Sequence, residues 1–376
     1  MIISTPFYTR LAQVLISIIC LVYIAIIGQT LLAPLLFAML FSLLLLPSCV
    51  FFEHRLRFPR ALSSLLSLLA LIAAIAGVFT LLGSQLTALA QDWPAFKQQV
   101  LDTTVDLQKW IEATFHVNSE EQMNYINDSA SKAVNTGTSI LGHTILSVSS
   151  IVLFLVFTFL YTFFILLHRR LLLRFVVSVF DQEHSVVVYD IVSQIQYIVK
   201  KYIFGLFLQM LLVTGLTCIA FWALGVKYGF LLGLITGILN LIPYIGILTA
   251  LILSSLITFA TAGTSQLIFV AIAIVVIHLI DSNYIMPKIV GSKVKINTLV
   301  ALIGLVLGEM IWGITGMFLS IPVIAIFKVI FDRVNGLNPW GMLLGEDDSD
   351  PDSKPAIREV VEDEHNKGMD TGSQVR

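Results

Sequence analysis

Long apolar runs are the feature that most limits what this chain can fold into. Residues 11–52 are almost continuously apolar, whereas one membrane-spanning helix needs only about 20 such residues. The run therefore accommodates two helices, with a break predicted at Gly28–Thr30. Only 12% of all residues are charged, against about 25% in soluble domains. The pattern predicts an all-α polytopic membrane protein.

The apolar runs divide into about eight membrane segments. They are predicted in the two halves of 11–52 and at 61–83, 147–167, 202–224, 229–262, 266–286 and 299–327. Four regions follow from this division: 1–84 with the first three helices, 85–145 as an insertion, 146–335 as a transmembrane core and 336–376 as an acidic, disordered, cytoplasmic tail. The insertion repeats apolar residues at three- and four-residue spacing, which favours amphipathic helices. These helices either pack on each other or form a site for a partner.

Composition and motifs exclude several classes of protein. The 22 basic and 24 acidic residues leave no field that would attract nucleic acid. Cys20, Cys49 and Cys218 lie inside apolar runs, so they are interpreted as small hydrophobic residues rather than metal ligands. Phosphate-binding and hydrolase motifs are missing from the sequence. We therefore expect no enzyme activity, no cofactor and no metal, and we expect a small-molecule or ion substrate and a lipid bilayer as partners.

Basic residues in the loops predict the orientation of the chain. Three arginines flank the loop at 55–60, and five basic residues lie in 168–201. The excess of Lys and Arg on the cytoplasmic side places both segments and both termini in the cytoplasm. The insertion at 85–145 then faces outward.

Two of the apolar segments, 229–262 and 299–327, are predicted to be broken and to re-enter the membrane. The first would break at 242–246 and the second between Gly308 and Gly316. Each arm of the first has about 15 residues, or about 22 Å of helix, which is short of a 30 Å hydrocarbon core. An Ile-Thr-Gly triplet, separated by four residues from a following Ile-Pro pair, begins at 235 and again at 314. This weak repeat is typical of transporters with inverted repeats; ordinary spans with proline kinks are the alternative.

A few polar residues lie within the apolar runs. Glu309 must pair, become protonated or face water there, because a charge at this depth costs about 2.5–3.5 kcal/mol. His278 and Asp281 share one helix face, with Asn283 beside it. They could bind a cation or polar solute or relay protons. The alternatives are hydrogen bonds between helices and, for Glu309, hydration near the membrane surface.

Four motifs resemble those of the autoinducer-2 exporter family, which includes the PerM-type permeases. They are residues 32–41 (LAPLLFAMLF), residues 240–246 (NLIPYIG), the pattern Asp281-x4-Met286-Pro287-x3-Gly291-x2-Val294, and residues 312–322 from Trp312 to Pro322. Ile247 and Thr298 stand where many members carry proline. The resemblance implies a multi-spanning permease of the bacterial cytoplasmic membrane, without a cofactor, and we expect a homo-oligomer.

The resemblance and the polar residues together indicate function. Candidates for the transport pathway are Asn240, Pro243, Tyr244, Gly246, His278, Asp281, Asn283, Pro287, Gly291, Glu309, Gly313, Gly316 and Pro322. We expect secondary export of a small polar solute, such as a quorum-sensing signal. A sodium- or lithium-proton antiporter of the same family is one alternative, and a membrane scaffold or receptor working through 85–145 is another.

Overall fold

The computed structural model describes residues 7–91, 98, 150–242, 245–262, 264–291, 296–334 and 336–345. These residues form eleven α-helices and no strand. The helices are α1 (Phe7–Ile27), α2 (Gln29–Arg55), α3 (Arg60–Gln91), α4 (Ser150–Ser178), α5 (Ser185–Ala223), α6 (Gly229–Leu239), α7 (Ile245–Ala262), α8 (Thr264–Ile280), α9 (Thr298–Trp312), α10 (Ile314–Arg333) and α11 (Asn338–Leu344).

Helix length and apolar character confirm the polytopic membrane fold. Among the described residues, α2, α3, α4, α5, α10 and the run Gln266–Ile289 are long and apolar enough to cross a membrane. Shorter apolar helices lie at Leu11–Ile27, Gly229–Leu239, Gly246–Phe259 and Thr298–Trp312. The two breaks predicted from the sequence account for three of these shorter helices.

The first break separates α6 from α7. The amide of Ile242 donates to the carbonyl of Leu239 at 3.0 Å, so the chain leaves α6 in a tight turn. Proline at 243 has no N–H and cannot continue a helix; Pro243 and Tyr244 themselves lie outside the described residues. Side chains of α6, α7 and α8 share one apolar cluster. Helix α7 therefore packs back along α6, and the two form a hairpin.

The second break lies between α9 and α10 at Gly313. Its φ of 60° and ψ of −140° belong to a region that glycine occupies far more readily than other residues. Gly308 lies before this turn and Gly316 after it, and a Cβ on Gly308 would lie 2.5 Å from the carbonyl oxygen of Gly316. The two helix backbones touch there, which makes α9 and α10 a second hairpin. At 15 residues, α9 is about 22 Å long and too short to span a membrane alone.

Contacts at the two ends of α5 show where each hairpin begins and ends. The Gln266 side chain donates to the carbonyl of Leu224, so α8 starts beside the end of α5. At the other end, Arg333 pairs with Asp190 at 2.6 Å. The hairpin of α6 and α7 therefore opens toward the Leu224 end, and that of α9 and α10 opens toward the Asp190 end.

Helix α5 is the central element of the bundle. Its 39 residues extend about 58 Å, and it packs on α2, α6, α8 and α10. Helix α6 lies against it through three glycines at four-residue spacing, Gly229, Gly233 and Gly237, which face Phe221, Cys218 and Thr214. Small residues at this spacing let helix backbones approach closely in membranes.

Three regions extend or change the picture from sequence. The polar segment 168–201 is largely helical, because α4 continues to Ser178 and α5 begins at Ser185. Helix α3 continues past 84 to Gln91, while the remainder of the 85–145 insertion, apart from Gln98, lies outside the described residues. Helix α11 lies at the start of the predicted tail, and residues 346–376 are outside the described part.

Candidate functional site: a buried carboxylate beside a helix break

The carboxylate of Asp281 lies inside the bundle, with 4% of the residue exposed. It accepts hydrogen bonds from Gln209 of α5, whose Nε2 lies 3.0 Å from both carboxylate oxygens. Asn240, which follows α6, donates through Nδ2 to Oδ2 at 3.0 Å. The site therefore joins α5, the first break and the end of α8.

The partners of Asp281 are neutral. Within the described part of the chain, no basic group lies within ion-pair distance of this carboxylate. A buried carboxylate without a counterion is costly unless hydrogen bonds satisfy it. Two amides reduce that cost, and they leave the site able to accept a proton or a cation. No group of three His, Cys, Asp or Glu suited to a metal occurs among the described residues.

The helix geometry at Asp281 departs from the α form. Residues Asp281–Ile285 and Pro287–Gly291 are π-helical, and the amide of Met286 donates to the carbonyl of Asp281, five residues earlier. Pro287 explains this, because proline removes one backbone donor and its ring pushes against the preceding turn. Such π-helical turns often occur at functional sites.

A small cavity adjoins the carboxylate. It measures about 10 Å³, which is room for about one water molecule. Its lining is contributed by α5, α6, α7 and α8 and comprises Val213, Thr217, Thr236, Asn240, Ile247, Ile274, Ile277, His278 and Asp281. The hydroxyls of Thr217 and Thr236 donate to carbonyls of their own helices. Their oxygens remain able to accept a hydrogen bond from a ligand.

A second, larger cavity lies where the two breaks approach each other. It measures about 320 Å³, within the size range of small-molecule sites. Leu241 and Ile242 contribute from the first break, and Ile314 and Thr315 from the second; Phe37, Phe41, Ile203, Leu206, Phe207, Ile238 and Phe318 complete the lining. The lining is apolar except for the Thr315 hydroxyl, which already donates to the carbonyl of Trp312 at 2.7 Å.

The structure brings only some of the candidate residues together. Asn240 and Asp281 are hydrogen-bonded to each other, and His278 lines the same cavity. The His278 ring also lies 3.2 Å from the hydroxyl of Ser282. Asn283 is exposed and donates to Leu279 of its own helix. Glu309 is exposed on α9, whose neighbours are α10 and α1. It is therefore not part of the Asp281 site.

The remaining candidates shape the backbone. Gly246 packs against the end of α6, where a Cβ would lie 2.9 Å from the amide nitrogen of Asn240. Gly313 forms the turn of the second hairpin, and Gly316 touches Gly308 across it. Pro322 is buried within α10, Pro287 is exposed, and Gly291 ends the π-helical run.

Gln209 is the functional candidate that sequence reasoning missed. It is 5% exposed in the middle of α5 and supplies two of the three hydrogen bonds to Asp281. A signal was present, because an amide inside the predicted span 202–224 needs a polar partner in a membrane. Its partner lies 72 residues away in the chain, so the sequence did not indicate which one.

The fold and the site define a multi-pass membrane protein with two helical hairpins and a buried carboxylate beside the break of the first. The family described as AI-2E family transporter matches residues 15–336, and the chain belongs to this family. The chain is also similar to individual transport proteins. The AI-2 transport protein TqsA of Escherichia coli (strain K12) is 26% identical over 302 residues, covering 78% of this chain and 83% of TqsA.

Two further relatives extend the comparison. YhhT of Escherichia coli (strain K12) is 23% identical over 313 residues, or 83% of this chain and 87% of YhhT. YrrI of Bacillus subtilis (strain 168) is 33% identical over 129 residues, and this match spans 34% of the chain and 36% of YrrI. The protein is thus a member of a family of membrane transporters.

Proposed function

We propose that this AI-2E family transporter is a secondary exporter of a small polar solute, and that Asp281 carries the coupling ion. The observation that carries the proposal is that Asp281 is only 4% exposed and that its carboxylate accepts hydrogen bonds from neutral amides. Ion coupling needs a group whose charge or coordination changes during the cycle, and a desolvated carboxylate meets that need.

The amides allow two occupants of the site. Each amide carries an oxygen as well as an NH2 group, so a half-turn of Gln209 or Asn240 would present oxygen to a cation held by Asp281. With a proton in place of the cation, the amides keep donating to the carboxyl group. The adjoining space of about 10 Å³ suits a proton or a small cation, and it is too small for an organic solute.

The solute would occupy the cavity of about 320 Å³ between the two breaks. Backbone groups released at helix breaks can meet polar groups of a substrate where they line a cavity, while the apolar side chains favour a solute with one apolar face. The name of TqsA connects that relative with AI-2, which makes AI-2 the first solute to test here.

Sodium- or lithium-proton antiport is the second candidate function. The small cavity at Asp281 favours it, because an antiporter of ions needs no larger solute site. We further propose that the Asp190 end of α5 is cytoplasmic, in a bacterial inner membrane, because five of the basic residues lie in 168–201, the segment that contains this end. Assembly into a homo-oligomer is also proposed, and native mass spectrometry in nanodiscs tests it.

Flux into proteoliposomes tests the function. We expect Asp281→Asn, which keeps the shape and removes the charge, to lower flux driven by a proton or sodium gradient at least tenfold. Glu309→Gln is the matched carboxylate control, and its flux should stay close to wild type because that side chain is exposed and outside the site. Equal fluxes for Asp281→Asn and wild type would refute ion coupling through Asp281.

A second measurement separates the two candidate functions. A pH-sensitive dye inside the vesicles reports proton movement when sodium or lithium is added without any solute. Proton release under these conditions identifies an antiporter. A response that requires AI-2 or another organic solute identifies a coupled exporter, and a scaffold or receptor gives neither.

A further inference from the structure

A second polar cluster lies between α2, α3 and α4, away from Asp281. At its centre is Cys49, which is fully buried and whose thiol faces the carbonyl of Ser63 at 3.8 Å. The hydroxyls of Ser64 and Ser67 also face this thiol, which is only a weak hydrogen-bonding group. Glu53 follows Cys49 by one turn of α2 and pairs with Arg169 of α4. Apolar side chains of the same three helices pack around Cys49.

The polar atoms of this cluster are buried without hydrogen-bond partners. They are Oγ of Ser63, Ser64 and Ser67, Oε1 of Glu53 and Nη1 of Arg169, which make five of the seven such side-chain atoms in the described part of the chain. The three serines are at most 1% exposed. Buried polar groups in native proteins are nearly always paired, so a concentration of unpaired ones points to a bound ligand.

The ion pair of Arg169 and Glu53 uses only one nitrogen and one oxygen. Nη2 of Arg169 donates to Oε2 of Glu53 at 2.6 Å, while the other nitrogen and the other oxygen have no partner. Arginine and carboxylate can form two parallel bonds, so this one-sided geometry leaves one donor and one acceptor for something else. Serine hydroxyls can both donate and accept.

The unpaired atoms define the chemistry of the ligand. A cation would satisfy Glu53 and the hydroxyls but would lie beside the free guanidinium nitrogen of Arg169. An anion would satisfy Arg169 and the hydroxyls but would face the free carboxylate oxygen of Glu53. A ligand that both donates and accepts can bond to Nη1 of Arg169, to Oε1 of Glu53 and to one serine hydroxyl at once. Water is the smallest such ligand, and a buried water typically makes about three such bonds.

We propose that Glu53, Arg169 and the three serines form a water-binding site, and that its water bridges the open halves of the ion pair. The bridge ties the hairpin of α2 and α3 to α4 from inside the bundle. This site is independent of the proposed transport function, because none of its residues contacts Asp281, Gln209 or Asn240 through any hydrogen bond in the described part of the chain.

Radiolytic footprinting in nanodiscs, with water enriched in oxygen-18, tests the proposal. Hydroxyl radicals made from a bound water oxidise the side chains next to it, and Cys49 is a reactive thiol already in place. The control is the thiol introduced by Leu231→Cys, at a position that is 0% exposed within an apolar cluster. We expect Cys49 to take up label at least fivefold faster than this control thiol.

Variants and salts define the occupant. Ser63→Ala combined with Ser67→Ala should lower Cys49 labelling severalfold, whereas replacing sodium by choline or chloride by gluconate should leave it unchanged. Labelling of wild-type Cys49 as slow as that of the control thiol means that the site is dry and overturns the proposal. A severalfold change with either ion replacement also overturns it, since the occupant would then be an ion.

Discussion

Replacing Gln209 with leucine removes two of the three hydrogen bonds that Asp281 accepts. Both bonds come from one NH2 group, 3.0 Å from each carboxylate oxygen, and Asn240 would remain as the third donor. A hydrogen bond to a charged group contributes about 1.5–3 kcal/mol. Counting the NH2 group once, the interaction that holds the charged carboxylate in place weakens by this amount, which corresponds to a factor of about 10 to 150.

The assay is gradient-driven flux in proteoliposomes, measured against pH for wild type and Gln209→Leu. We expect ion-driven flux, which depends on the charged carboxylate, to fall at least about fivefold at the pH where wild type is half active. Asn283→Leu is the matched control. It also exchanges an amide for leucine, but this amide is exposed and bonds only to its own helix, so its curve should follow wild type.

A double-mutant cycle with Asp281→Asn separates a specific interaction from general damage. In the uncharged Asp281→Asn background the Gln209→Leu change should add little, because the charge that it stabilised is gone. Non-additivity of about 1.5–3 kcal/mol is therefore expected. If Gln209→Leu leaves flux at every pH equal to wild type in a folded protein, the amide does not control Asp281 and the reasoning is wrong.

Three further predictions concern the orientation of the bundle, the hairpin of α9 and α10, and the contact between α9 and α1. Tyr189 and Trp222 are both exposed and lie at opposite ends of α5. In a variant lacking the native cysteines, Tyr189→Cys should therefore react with an impermeant reagent only from the cytoplasmic side, and Trp222→Cys only from outside. The reversed pattern would contradict the proposed orientation. Gly316→Leu should abolish flux and cost at least about 1–3 kcal/mol of stability through overpacking, because a Cβ there collides with the Gly308 carbonyl. If the variant melts and transports like wild type, the two helices of this hairpin separate freely and the prediction is wrong. Trp312→Phe keeps an aromatic side chain but removes the pyrrole part of the indole, and with it the 2.8 Å hydrogen bond from Nε1 to the Ala25 carbonyl. Thermal melting should therefore show a loss of at least about 0.5–1.5 kcal/mol, and an unchanged melting curve argues that this bond contributes nothing.

Local chemistry in the sequence predicted the membrane fold and its two breaks. The apolar run at 11–52 did become two helices, and the chain does turn between them at Gly28. Proline at 243 and glycine at 313 act on their own backbone through a missing donor and an accessible φ. For that reason the breaks could be located without knowing what packs around them.

The partners of the polar residues could not be predicted in the same way. Asp281 and Glu309 are both single carboxylates in apolar runs, yet one is buried among amides and the other is exposed. The difference depends on which helix face meets α5, and the π-helical turns at Pro287 alter that face.

The sequence by itself determined a polytopic helical membrane protein of the AI-2E type with two interrupted helices. The tertiary structure decided that Gln209, Asn240 and Asp281 meet, and that Glu53 and Arg169 pair across 116 residues of chain. Helix formation and interruption depend on neighbours within a few residues. A hydrogen bond between helices depends on how they pack, which no local pattern contains.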